Sequence, residues 1–389
     1  MPRRRLDQVD SMRPMKQAGV VSTHVLLFFA PASSVAAGAA LNLLHVSREG
    51  FFFISACMLT YAYRDIGRGD WSRFYKRRWI SVGVPYLCWT AIYYLYNLPF
   101  AHFASAAPAL DRLVRYVATG YYQLYFLIVI MQFYLVFPAV LWLLRRTAGH
   151  HGLLLAVAAV IQLALAVTLH WGFLTDSLAE QQASSYVLYL IGGAVVAWHL
   201  DEVHDWVVGH ARLVIALTVL AALFAEAVYY LAQNGVTTVL GSGNDPFQPS
   251  VIPWNIGAIA CIYLVGVYLV RPGHSWRTMA MVRSGSDNAY GIYMAQLLVI
   301  DLLIYFGYRG VIGHLPWPVA CAITVLVVYF ACVALTSLLA RTPLAVPLTG
   351  RSQQPWRTII PRLAPPAPPA DLATETKESN DDKRLDPVS

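Results

Sequence analysis

Long apolar stretches recur from near residue 15 to near residue 340, divided by short polar loops. Each is close to the roughly 20 residues that a helix needs to cross the hydrocarbon core of a bilayer. Runs such as Leu153 to Thr168 show no alternation of apolar and polar positions, which a transmembrane strand would require. Helices satisfy their own backbone hydrogen bonds, so continuous apolar stretches can lie in lipid. The pattern predicts about ten transmembrane helices, over 14–37, 41–63, 79–99, 120–144, 152–174, 183–200, 211–233, 251–270, 286–306 and 317–339.

Composition excludes the soluble alternative. Hydrophobic residues make up 58% of the 389 residues and charged ones only 13%, about half the usual share of a soluble domain. The basic residues cluster in alternate loops: Arg64, Arg68, Arg73, Lys76, Arg77 and Arg78 in one, Arg145 and Arg146 in the next of that set. With Arg3, Arg4 and Arg5 at the start, this places both termini on the cytoplasmic side of a plasma-membrane protein. The net charge of +7 is explained by those loops, and no basic helix calls for nucleic acid. Five cysteines, an odd number with no Cys-x-x-Cys pair, imply neither a disulfide framework nor a metal site. The expected organisation is a cytoplasmic segment 1–13, an all-α membrane domain 14–341 and a tail 342–389. The tail's Ala/Pro tract and polar end mark it as disordered.

Chemistry must therefore sit among the helices or at their mouths. The first span carries Arg13, with Asp10 as a nearby partner, and His24 eleven residues further on. That spacing returns to within ~20° of the same helix face, ~16 Å along the axis. An ionisable residue at such depth faces the bundle interior or a wet cavity. His24 is then either a general base or a core histidine bonded between helices. The loop Arg64–Arg78 either grips an anionic cytoplasmic substrate through arginine forks or only fixes topology. Glu226 and Asp301 in later spans, and Glu49 beside Arg48, are candidate acceptor-orienting acids. Each has a structural alternative: a hydrogen bond across helices, or interfacial anchoring for the Arg48–Glu49 pair.

Several segments together resemble the membrane acyltransferase type 3 family over nearly the whole chain except the tail. These are Arg13-x10-His24, Gly50-Phe51-Phe52-Phe53-Ile54-Ser55, and Lys76-Arg77-Arg78 running into Pro85-Tyr86. Tyr121–Phe126 is similar to the family's fourth-helix opening, and Ser286–Tyr293 to its ninth-helix signature. The chain departs from the family where Ala56 follows the serine, where Ser81 replaces a second loop arginine, and where Gln296 replaces a common late histidine.

The resemblance implies an enzyme that moves an acetyl or other short acyl group from cytoplasmic acyl-CoA to a hydroxyl. The acceptor would be a surface glycan, a glycolipid or a secondary metabolite such as a macrolide. It implies His24 as the catalytic histidine, and Arg13, Lys76, Arg77 and Arg78 as the residues meeting the CoA phosphates, with no permanently bound cofactor. Whether His24 acts as base or as acyl-carrying nucleophile stays open. The rival class is a multi-pass transporter or exporter of a glycan or small metabolite. Gly192-Gly193 is the helix interruption that would suit it.

Overall fold

The computed structural model describes residues 6–100, 106–171, 179–241, 243, 245–271 and 276–355. Every regular element among them is helical, apart from a β-bridge between Thr238 and Gly241 in a turn. The first part of the chain forms α1 (Asp7–Asp10), α2 (Met12–Phe29), α3 (Val35–Leu44) and α4 (Val46–Tyr63). Then come α5 (Trp71–Arg78), α6 (Val84–Asn97), α7 (Ala106–Thr119), α8 (Tyr125–Arg146) and α9 (His151–His170). The remainder forms α10 (Val187–Trp198), α11 (Leu200–Gly209), α12 (Ala211–Gln233), α13 (Val251–Leu269) and α14 (Trp276–Tyr305). Last are α15 (Tyr308–Ile312), α16 (Trp317–Leu339) and α17 (Ala345–Thr349).

Six helices among the described residues are long and apolar enough to cross a membrane: α8, α9, α12, α13, most of α14, and α16. The pair α10 and α11, bent by 98°, makes a seventh if it is one span. Their outer faces carry exposed Leu153, Val160, Leu220, Leu326 and Phe330, as lipid-facing helices do. The protein is thus an all-helical, multi-pass membrane protein, with fewer such helices than the ten that hydropathy suggests.

The difference lies in the first three expected spans. The first breaks between α2 and α3, around Pro31, and the second starts only after His45. The third is a π-turn at Trp79–Gly83 followed by the 14 residues of α6. α2 itself is polar because it is central, packed against α3, α4, α13, α14 and α16. Its Lys16, Gln17 and His24 are buried. With its amide oriented to suit, Gln17 donates to the Ala289 carbonyl (3.2 Å) and accepts from the Tyr293 N–H (3.3 Å) of α14. A helix walled in by other helices needs partners more than an apolar surface.

The glycine pair Gly192-Gly193 is a packing device. A Cβ at Gly193 would meet the Phe53 carbonyl oxygen at 2.2 Å, whereas one at Gly192 would find Phe53 no nearer than 3.8 Å. Gly193 therefore sets the close approach of α10 to α4. Gly193→Ala is expected to destabilise by about 1–3 kcal/mol through overpacking, and Gly192→Ala to change little. Thermal unfolding of the two variants in detergent separates them, and equal melting points would contradict this reading.

Both ends of the membrane domain extend past the expected boundaries. Leu6, Val9 and Met12 are core residues, so residues 6–13 are folded onto the bundle rather than free of it. Residues 342–355, expected as tail, continue the fold. The Trp89 indole N–H donates to the Leu348 carbonyl (2.9 Å), and Arg351 pairs with Asp287 (2.9 Å). Residues 356–389, with the Ala/Pro tract, lie outside the described residues, as do Arg3, Arg4 and Arg5. At one end of the bundle Arg145 donates to the Arg64 carbonyl (2.6 Å), so two of the expected basic loops share a face.

Candidate active site

His24 lies in the last two turns of α2, one turn from its end at Phe29. Ser22 and Thr23 turn their hydroxyls back to the carbonyls of Ala18 and Gly19 (2.9 and 3.0 Å). The polarity of that stretch is thereby satisfied within the helix, and only the imidazole remains available. It is 8% exposed, on the wall of a cavity of ≈ 440 Å³. Its Nδ1 has no hydrogen-bond partner. The Gln296 side chain lies beside the ring, with its own Oε1 unpartnered.

The opposite wall is the turn before α8. Gly120 has φ +78°, and a Cβ there would fall 2.4 Å from the Tyr125 nitrogen, so the turn requires glycine. Tyr122 adopts φ 44°, a left-handed conformation that costs a bulky residue about 1–3 kcal/mol. Its ring stands 5.8 Å from the imidazole, centroid to centroid. The turn is anchored from behind. Gln123 donates to the Tyr93 hydroxyl (2.9 Å), Tyr93 donates to the Met294 carbonyl (2.7 Å), and Tyr293 donates to the Gln123 carbonyl.

A third wall is charged. Arg48, near the start of α4, lines the cavity and holds Glu49 through two donors at 2.6 and 3.1 Å. It also pairs with Glu180 (3.3 Å) and lies over the rings of Tyr186 and Phe247 at 5.1 and 4.8 Å. Glu180 and Gln181 line the same cavity, and Gln132 of α8 fixes their loop by bonding Gln181 and Ala183 (2.7 and 2.8 Å). Behind this wall Lys16 is fully buried, donates to the Val46 carbonyl (2.8 Å) and feels the charge of Glu49.

Of the Arg48–Glu49 pair, read as an orienting acid or an interfacial anchor, Arg48 lies on the cavity wall and Glu49 is buried behind it. Glu49 is 2% exposed and does not itself line it. Glu226 and Asp301 do not line the cavity either. Glu226 accepts from Asn42 (3.1 Å), which in turn accepts from Gln248 (2.7 Å), a link across helices. Asp301 faces a tyrosine cluster that includes Tyr93 and Tyr121.

The expected donor residues form a separate group. Arg13 pairs with Asp10 at 3.3 Å, as its spacing predicts. Arg78 donates to the Tyr63 hydroxyl (3.2 Å) and lies over the rings of Tyr63, Phe74 and Tyr134. Tyr134, under Arg78, also feels the charge of Arg13, so the two arginines lie on the same side of the bundle interior. Lys76 and Arg77 are exposed. None of the four lines the His24 cavity. A line of neighbouring tyrosines, Tyr134, Tyr290 and Tyr293, runs between the two groups, and Tyr293 ends in the cavity wall.

Among the described residues no group of three histidine, cysteine, aspartate or glutamate side chains could hold a metal ion. Tyr122 and Glu180 were not legible as site residues, and Arg48 was legible only as the neighbour of Glu49. A Gly followed by paired aromatics marks a turn, and that was the available signal for Tyr122.

The site is thus an aromatic and charged cavity in a helical membrane bundle, with His24 and His45 both on its wall. No curated protein and no solved structure shows a significant match. A family described as an acyltransferase domain matches residues 9–336, which include His24, its cavity and the basic segment. The chain belongs to this family, the type 3 membrane acyltransferases.

Proposed function

We propose that the protein transfers a short acyl group from acyl-CoA to an acceptor hydroxyl, with His24 as general base. The observation that carries this reading is the His24 imidazole on the wall of a ≈ 440 Å³ cavity, with the Gln296 side chain beside the ring. The donor's phosphates dock on Arg13, Arg77 and Arg78, with Lys76 adding charge. The ~16 Å along α2 between Arg13 and His24 suits an extended pantetheine arm. The acceptor enters the cavity from the end of α2 opposite Arg13, where Arg48, Glu180 and Tyr122 stand. His24 takes the hydroxyl proton as the oxygen attacks the thioester carbon. The carbon–sulfur bond then breaks, and the CoA thiolate leaves with that proton.

In this reading the basic segment faces the cytoplasm, both termini lie there, and the membrane is the cell membrane. The acceptor is a glycan, a glycolipid or a hydroxylated metabolite such as a macrolide. Gly193 as a packing contact removes the helix interruption that would favour a transporter. Membranes containing the protein, given labelled acetyl-CoA or propionyl-CoA, should accumulate label as an alkali-labile ester. Label no higher than in membranes without the protein would overturn the proposal.

The donor site makes its own prediction. Charge-assisted hydrogen bonds contribute about 1.5–3 kcal/mol each, so Arg78→Ala should raise KM for acyl-CoA about tenfold or more. Arg13→Ala should act similarly, since the charges of both arginines reach Tyr134. Kinetics with CoA esters lacking the 3′-phosphate report which arginine reads that group. An unchanged KM in both variants would remove them from the donor site.

A further inference from the structure

A second cavity measures ≈ 480 Å³ and is walled by α4, α9, α10, α11 and α13, with Val9 of α1 and Met12 of α2. Its lining is almost pure hydrocarbon, including Phe53, Ile54, Leu188 and Val207. The polar pair His204 and Tyr263 on its wall is hydrogen-bonded to itself at 2.8 Å. None of its lining residues lines the His24 cavity.

We infer that this cavity holds one acyl chain of a membrane phospholipid. Its rim carries Ala156 of α9 and Ile256 of α13, both exposed on the outside of the bundle. Those two helices are among the membrane-length ones, so the opening between them faces the bilayer. α11, folded 98° away from α10, covers the cavity with Leu200, Val203 and Val207.

Protein interiors pack as densely as organic crystals, and an apolar void of only about 150 Å³ already takes up benzene. A void three times larger does not stay empty beside a bilayer. The wall offers water little to bind, because His204 Nδ1 and the Tyr263 hydroxyl bond each other and the Tyr189 hydroxyl accepts from Asn255 (3.1 Å). Chains of the surrounding lipid are the hydrocarbon that the opening meets.

The inserted chain would brace the underside of α11 and hold the bend between α10 and α11. Gly192 also lines this cavity, so the absence of a side chain there leaves room for it.

The test uses the full chain in liposomes containing phosphatidylcholine with a photoreactive diazirine near the end of one acyl chain. Illumination and peptide mapping should find adducts on Ile54 and Cys57, each 2% exposed and beyond the reach of bulk lipid. Val160, 67% exposed, reports bulk contact and should be labelled in any case. Ala260→Phe, which fills the cavity, should lower adducts at Ile54 and Cys57 at least tenfold and leave Val160 unchanged. If that variant fails to fold, the wild-type pattern alone decides. Adducts confined to outward positions such as Val160 would overturn the inference. So would labelling of Cys57 by a photoreactive acyl-CoA but not by the phospholipid.

Discussion

His24→Ala is expected to lower acyl transfer by about 10²–10⁴-fold, the usual contribution of a positioned general base, without lowering the melting point. The two halves of that expectation have separate grounds. The imidazole stands on the cavity wall, so its loss removes proton transfer there. Its buried Nδ1 has no partner, so alanine breaks only the contact with the Gln296 side chain. His24→Gln, which retains bulk and polarity but not basicity, should be as inactive. Rates with labelled acyl-CoA and unfolding in detergent check both parts. A variant that loses stability and activity together would return His24 to the role of a packing histidine.

Arg48→Ala should have the largest effect on stability, about 3–5 kcal/mol, because it strips one partner from a buried ion pair. Glu49 would be left at 2% exposure without its guanidinium partner, with one oxygen already unpartnered and Lys16 as the remaining cation nearby. The rings of Tyr186 and Phe247 would lose the guanidinium that lies on them. Arg48→Ala with Glu49→Gln should recover much of the loss, since the stranded charge is removed with its partner. Thermal unfolding of the single and double variants decides. Equal melting points for Arg48→Ala and wild type would show that the wall is not held by this pair.

Much of the fold could be read from the sequence where a helix meets lipid. α8, α9, α12, α13 and α16 declare themselves by hydropathy because their outer faces are solvated by hydrocarbon. The stretches that form α2, α4 and α6 also read as spans, but these helices are not among those long and apolar enough to cross a membrane. Hydropathy measures what a helix shows to lipid, and α2 is enclosed by neighbours that accept its Lys16 and Gln17. The 13–24 spacing on α2 was readable because it depends on one helix alone. The rest of the cavity was not. Tyr122, Glu180 and Pro246 reach it from three separate connections, and no local pattern encodes that meeting. Arg48 was visible but misread, because two adjacent opposite charges near a span end look like an anchor until burial is known.

The central claim is that His24 passes an acyl group between a donor held on the Arg13–Arg78 face and an acceptor in the cavity beyond it. Sealed inside-out and right-side-out vesicles from producing cells, supplied externally with labelled acetyl-CoA, test it most directly. Ester label should form in inside-out vesicles, where the basic segment faces the added donor, and should vanish with His24→Ala. Equal labelling in both orientations, or undiminished labelling by His24→Ala, would contradict the account.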